Sequence, residues 1–375
     1  MAAKAWASQP KTLERKTLDE LFFQNDSVSL CLLINRRART MRVIDFRAGA
    51  TPAKRLCVQS LAQREGVDKV YTLVERDEVQ TWMKLGFAKE GTIPGFYKRS
   101  DAFVMGASVP SPAAKDLRTR AASNANDTGG TGNGKGANGH DVPLESETRL
   151  VAAAAVGSGL GVGLGIGAGV GVRATAALAS PALDRMERTI AAGKRAAKDL
   201  SDKPLSAKIT EISESDARKA VSAALRGGRA LSEFEPFGRD VQRRYFLATT
   251  RGGYELCVST ESQICFSNAF LEVLNSPRTD AEKQGAAAAI AAVGDKLTAE
   301  GVVSCFALAP SDDVPLATAF LHAGFRRTGL LLGHWPGPAN APHGPQGATS
   351  TRHDGRMGRV DVILWSRKLA NPTGE

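Results

Sequence analysis

Aromatic side chains are missing from 130 consecutive residues, Val104 to Glu233, although the 375-residue chain holds 14 Phe, 4 Trp and 4 Tyr elsewhere. Large rings dominate core packing, so this gap predicts no conventional core there and places the folded modules at about 1–106 and 234–375. Cysteine is sparse too: Cys31, Cys57, Cys257, Cys265 and Cys305 are odd in number and have neither CxxC nor metal-ligand spacing. That excludes a disulfide framework and a zinc site and fits thiols of a reducing compartment. The opening MAAKAWASQPKTLERK has no apolar run of signal-peptide length, so a cytoplasmic location is expected. There is no GxxxxGK[ST] loop, no nucleophile elbow, and no GxGxxG between a strand and a helix, which excludes the common nucleotide and hydrolase signatures. The formal charge of +10 suits phosphate-bearing or acidic partners and is too mild to demand nucleic acid.

The ring-free middle divides by composition. Residues 107–149 include SNANDTGGTGNGKGANGHD, which holds nothing to bury and reads as a disordered linker. Residues 150–173 form a glycine-alternating apolar segment, uncharged over 150–172. If helical, that segment would span ~34 Å, enough for membrane contact. Glycine at every second place opposes a helix by roughly 1 kcal/mol per residue relative to alanine, which leaves a glycine zipper or a low-complexity stretch as the other readings. Residues 174–233 predict a charged connector of two Ala/Lys/Arg-rich helices with solvated faces.

The two ends contain a repeat. From Gly66 the chain reads GVDKVYTLVERDEVQTWMKLGFAKEG, and from Gly301 it reads GVVSCFALAPSDDVPLATAFLHAGFRRTG. Each starts Gly-Val, runs through an apolar strand, turns at acids, enters a helix and closes on Gly-Phe-x-x-x-Gly: Gly86, Phe87, Gly91 and Gly324, Phe325, Gly329. A duplicated supersecondary unit explains this order. Upstream of the first copy lies a hairpin with Val28, Leu30, Leu32 and Ile34 on one face, then a helix opened by Thr51-Pro52. Upstream of the second lie a hairpin turning at Gly252-Gly253 and an alanine-rich helix from about Asp280 to Ala299. Both copies read hairpin, helix, strand, helix, closing strand pair, so the expected fold class is α+β (α/β) with mixed central sheets flanked by helices.

The segments Trp82-Met83-Lys84-Leu85-Gly86-Phe87, with Glu90-Gly91, and Phe320-Leu321-His322-Ala323-Gly324-Phe325, with Thr328-Gly329, resemble the back half of the GNAT acyl-CoA N-acyltransferase superfamily. IPGFYKRSDAFVMG, from Ile93 to Gly106, resembles the terminal strands of bacterial amino-acid N-acetyltransferases of that superfamily. The resemblance implies two divergent GNAT-like modules, each with a V-shaped opening between parallel strands. It also implies acetyl-CoA as co-substrate and an amine on a small molecule or protein as acceptor; no metal is expected, since the cysteine and histidine spacings offer no ligand set. The pyrophosphate would meet backbone N–H groups where the next helix begins, a place with unpaired donors and a positive dipole end. In the first copy that turn is Arg47, Ala48, Gly49, Ala50, Thr51, Pro52, Ala53, Lys54 and Arg55; in the second it is Asn275 to Asp280. Neither reproduces the family's Gln/Arg-x-x-Gly-x-Gly/Ala loop. The first keeps a glycine and cations, whereas the second has no glycine and puts Asp280 in the way. Arg47, Gly49, Thr51, Ala53, Lys54 and Arg55 are therefore the candidate cofactor residues, the alternative being that Thr51-Pro52 simply caps a helix.

The family's general-acid tyrosine, four residues before Gly-Phe, is Trp82 in one copy and Phe320 in the other. Tyr97 is the candidate substitute, against a reading as a half-buried strand aromatic. Glu75 is the candidate proton acceptor through a water, with Asp77 beside it, against a reading of Glu75, Asp77 and Glu78 as charges favoured by a helix N-terminus. His334, His343 and His353 with Asp354 lie in a Pro/Gly-rich stretch that fixes no metal geometry. Arg36, Arg37, Arg39 and Arg42 at the first hairpin offer either anion steering or a solvated turn. The functional expectation is N-acyl transfer from acetyl-CoA by the N-terminal module. The alternative is a non-catalytic binding or scaffold protein, and membrane association through 150–172 is compatible with either reading.

Overall fold

The computed structural model describes residues 18–25, 28–36, 38–45, 49–97, 100–109, 169–200, 206–226, 231, 241–250, 252–263, 266–336 and 359–369. The linker expected at 107–149, beyond its first three residues, and the glycine-alternating segment as far as residue 168 lie outside them. Among the described residues no helix is long and apolar enough to cross a membrane.

The first half runs β1 (Leu18–Gln24), β2 (Ser29–Asn35), β3 (Thr40–Asp45), α1 (Pro52–Arg64), β4 (Lys69–Val74), α2 (Val79–Lys84), β5 (Ala88–Ile93) and β6 (Ala102–Ser108). Then come α3 (Gly169–Asp199), β7 (Ala207–Ile212) and α4 (Glu214–Arg226). The second half continues with β8 (Gln242–Thr250), β9 (Glu255–Gln263), β10 (Asn268–Val273), α5 (Asp280–Ala299), β11 (Ser304–Pro310), α6 (Val314–His322), β12 (Arg326–Pro336) and β13 (Arg359–Lys368). These strands make a single mixed sheet in the order β1-β2-β3-β4-β6-β5-β12-β13-β11-β10-β9-β8-β7. Read outward from the centre, the strand order of one half repeats that of the other, and only β7 has no counterpart. The halves meet where β5 and β12 run antiparallel, with Gly329 opposite Gly91.

The repetition extends to single hydrogen bonds. After α1, Val67 N donates to Ala62 O (2.8 Å); after α5, Val302 N donates to Leu297 O (3.0 Å). After α2, Phe87 N donates to Trp82 O (3.1 Å); after α6, Phe325 N donates to Phe320 O (2.9 Å). Gly66, Gly86, Gly301 and Gly324 end these helices with φ of 66°, 91°, 85° and 81°, a left-handed conformation that only glycine adopts without strain. The sequence places glycine at all four positions because the chain reverses there.

Side chains alternate between the faces of each strand. One face receives α1 and α2 over Leu30, Leu32, Val43 and Met105, with Trp82 of α2 packed among them, and α5 and α6 over Phe246, Val258 and Trp365, with Ile290 of α5 and Phe320 of α6 packed among them. On the other face Ile93, Phe96, Val104, Phe270, Phe306, Leu331 and Leu364 pack across the seam between the halves. The ring-free connector differs from expectation. It contributes a strand, β7, paired antiparallel to β8, while Ala182, Met186 and Ile190 of α3 enter one core and Ala217 and Val221 of α4 another. Small and aliphatic side chains suffice there because the sheet supplies the rings opposite them.

Candidate functional site

Each half contains two parallel strands that pair at their starts and then separate. Between β3 and β4 the ladder holds from Thr40 opposite Lys69 to Val43 opposite Thr72, while the strands run on to Asp45 and Val74. Between β10 and β11 it holds from Asn268 opposite Ser304 to Leu271 opposite Ala307, with the strands continuing to Val273 and Pro310. In both halves, then, the parallel pairing stops before the strands do, at the place where the family resemblance implies an opening.

The turns above the openings differ. In the first half Thr51 caps α1, its Oγ1 accepting from Lys54 N at 3.2 Å, and proline follows in the first turn, which carries no acidic residue. Gly49 has φ 153° and open space where a Cβ would point. Ala53 and Arg55 are exposed, and the Arg55 guanidinium lies over Gly86, 3.6 Å from where a Cβ would sit. Lys54 faces the other way: it is buried and its ammonium is bonded to Asp45. A cation held inside by a carboxylate is not available to a phosphate above the turn. Arg47 lies outside the described residues.

The second half closes the same place with its own carboxylate. Thr279 and Glu282 form a capping box in which Thr279 Oγ1 accepts from Glu282 N at 3.2 Å. Glu282 Oε2 accepts from Arg278 N at 2.6 Å and from Thr279 N at 3.2 Å. Glu282, rather than Asp280, thus occupies the Arg278 and Thr279 amides just ahead of the helix. Asp280 instead pairs with Lys283 at 2.6 Å. The Thr-x-x-Glu spacing at 279–282 is the sequence signal for this arrangement.

Tyr97 follows β5 in the turn to β6, and its hydroxyl donates to Leu73 O at 3.2 Å. Leu73 is the β4 residue just past the last β3–β4 pair, so the phenol stands at the mouth of the first opening. Burial pushes its pKa up to about 12; Arg42 opposes that shift, and the charges of Glu78 and Glu75 add to it. The hydroxyl keeps its proton at neutral pH. Glu75 and Asp77 are exposed beyond β4, and Glu78 is half-buried, with burial as the main cause holding its carboxyl above the usual range. Glu75 and Glu78 thus lie near enough to Tyr97 for their charges to act on its phenol.

Trp82 and Phe320, where the family places tyrosine, are core residues. Trp82 meets Phe87 edge-on at 4.8 Å between ring centroids, and Phe320 meets Phe325 at 5.1 Å and stacks on Trp365 at 5.6 Å. The hairpin arginines are engaged: Arg36 pairs with Asp19 (2.5 Å) and Glu65 (2.9 Å), and Arg39 with Asp68 (3.0 Å). Arg42 is buried on β3, and Arg37 is outside the described residues. His334 lies in β12, buried against Tyr71 at 5.0 Å; His343, His353 and Asp354 fall outside the described residues. Among the described residues no group of three His, Cys, Asp or Glu is placed to hold a metal. Among the described residues Cys31, Cys57, Cys257 and Cys305 form no disulfide, and the Cys31 thiol donates to Glu20 Oε1 at 3.3 Å.

Sequence reasoning missed a buried polar group in the second half. Arg243 Nη2 lies 2.8 Å from Glu272 Oε2, Ser259 Oγ donates to the same oxygen at 2.9 Å, and Glu261 Oε1 is 3.6 Å from Arg243 Nε. Glu272 stands just past the last β10–β11 pair. Ser259 and Glu261, two apart on β9, share a face, which is the pattern that marks a polar stripe in an otherwise apolar sheet.

No family model matches the chain, and no curated protein matches it by sequence. Solved structures similar to part of it include the ribosomal-protein-S18-alanine N-acetyltransferase of Escherichia coli, at 15% identity over 45% of this chain and 97% of that one, TM-score 0.32. Another is the spermidine N-acetyltransferase of Vibrio cholerae in complex with CoA and spermine, at 13% identity over 44% of this chain and 95% of that one, TM-score 0.31. At these scores the likenesses carry nothing about activity. The mixed α/β architecture and its paired openings stand on the strand order and hydrogen bonding above.

Proposed function

We propose that the chain is an acetyl-CoA-dependent N-acyltransferase in which the N-terminal half carries the chemistry. The supporting observation is the asymmetry between two otherwise matching helix starts: the α1 turn has a small-residue approach and no acid, whereas Glu282 covers the α5 turn. Helix N-terminal amides favour an anion, so the pyrophosphate is held by the backbone of Gly49, Thr51 and Ala53 with Arg55 beside it. Lys54 takes no part, because its ammonium is bound to Asp45. The acceptor amine attacks the thioester carbonyl and the C–S bond breaks. Tyr97 gives its proton to the departing thiolate, while the proton leaving the amine passes through water to Glu75.

The test is a thermal-shift titration of the full chain with acetyl-CoA. A ligand at 100 times its dissociation constant stabilises by ~2.7 kcal/mol, and Arg55→Ala should weaken that shift. Turnover of an amine panel that includes spermidine and an alanine-terminated peptide should fall in Tyr97→Phe. No shift at millimolar acetyl-CoA would leave a non-catalytic scaffold as the reading. Unchanged turnover in both variants would displace the site.

A further inference from the structure

The candidate acid Tyr97 belongs to the first half, yet much of what surrounds it comes from the second. Asn268, at the start of β10, is buried and donates its Nδ2 to Phe96 O at 2.7 Å. Phe266, two residues earlier, meets the Tyr97 ring edge-on at 5.4 Å and the Phe96 ring at 5.9 Å. Phe96 also leans on Phe306 of β11 at 5.7 Å. Within its own half Tyr97 has the Leu73 carbonyl, a turn bond from its N–H to Ser100 O at 3.0 Å, and the Phe96 ring. The reciprocal contact exists as well. Arg359, opening β13, donates to Ala38 O at 3.0 Å and lies 3.4 Å from Asp68 at the start of β4. Each half's closing strand pair is therefore braced against the other half where its parallel strands begin.

We infer that the second half acts as a positioning element for the first, with Asn268 and Phe266 fixing the Phe96–Tyr97 turn so that the Tyr97 hydroxyl is held at the mouth of the β3–β4 opening. The inference rests on the proposed use of Tyr97 but is separable from it, because the position of the ring can be read without any turnover. A closed helix start in the second half is consistent with this division: that half keeps the fold and loses the anion seat. Asn268 is suited to the task because a buried amide can satisfy a carbonyl across the seam that water does not reach.

The experiment uses the full chain labelled with 13Cζ-tyrosine. The Tyr97 resonance is assigned by its absence in Tyr97→Phe and followed in Asn268→Ala and Phe266→Leu. Both variants are expected to move the Tyr97 line toward that of a solvated tyrosine while leaving the other tyrosine lines in place. If acyl transfer is detected, Asn268→Ala should lower kcat severalfold with the KM for acetyl-CoA within twofold, since the α1 turn belongs to the other half. Should Asn268→Ala fail to fold, Phe266→Leu decides alone. An unmoved Tyr97 line in a folded variant overturns the inference whether or not the protein is an enzyme; a moved line without turnover in the wild-type chain overturns only the proposed function.

Discussion

A methyl group added at the centre of the sheet gives a sharp test of how the halves join. A Cβ on Gly329 would lie 2.5 Å from Gly91 Cα and 2.6 Å from Glu90 O, both backbone atoms. Ordinary carbon contacts need ~3.5–4.0 Å, so the two chains must part by about 1 Å at the place where β5 and β12 pair. Overpacking a close-packed site costs about 1–3 kcal/mol, and Gly329→Ala should lose that much stability with little change in m. The assay is urea unfolding of the full chain followed by tryptophan emission, which samples buried Trp82 in one half and buried Trp365 in the other. Gly252→Ala is the control, because its Cβ would meet nothing nearer than Thr250 Oγ1 at 4.0 Å. Gly329→Ala falling within about 0.5 kcal/mol of the wild type, the range of an ordinary surface change, would refute a close backbone crossing at the seam.

Two further expectations concern buried charge. Lys69 and Glu90 are nearly inaccessible and bonded to one another. Lys69→Met strands the carboxylate and should cost about 3–5 kcal/mol by denaturant melt, whereas Lys69→Met with Glu90→Leu should recover most of it; an unrecovered double variant would count against pairing. His334 is fully buried, and burial first, then the charges of Lys69 and Arg359, lowers its pKa to about 3. With the folded value below the unfolded one, the unfolded chain binds the extra proton. Stability is therefore complete above about pH 6.5 and falls by about 1.4 kcal/mol per pH unit between there and pH 3. Subtracting the pH profile of His334→Phe from that of the wild type isolates this slope, and no difference would mean the imidazole is solvated.

Much of the fold is legible in the chain because its reversals demand glycine. Gly66, Gly86, Gly301 and Gly324 mark matching helix ends, and Phe87 and Phe325 follow as the rings that close each α2-like turn onto the core. β7 was not legible: AKITEI alternates weakly and sits in a ring-free stretch, and its place is fixed by the β8 edge it covers rather than by its own composition. The placing of the candidate residues was half legible. Glu75 follows β4 and Tyr97 follows β5, and the spacing along the chain reflects that much. The inward turn of Lys54 depends on Asp45 nine residues earlier, and the Tyr97 surroundings depend on Phe266 and Asn268 from the far half. Such long-range partners leave no local pattern.

The proposed function distinguishes the two helix starts: the α1 turn would seat the pyrophosphate, whereas Glu282 occupies amides at the α5 turn. Amide hydrogen exchange of the full chain with and without saturating acetyl-CoA measures this at both helix starts in a single experiment. The expected result is slowed exchange at residues 49–56 with no change at 275–282; protection at 275–282, or at neither segment, would contradict it.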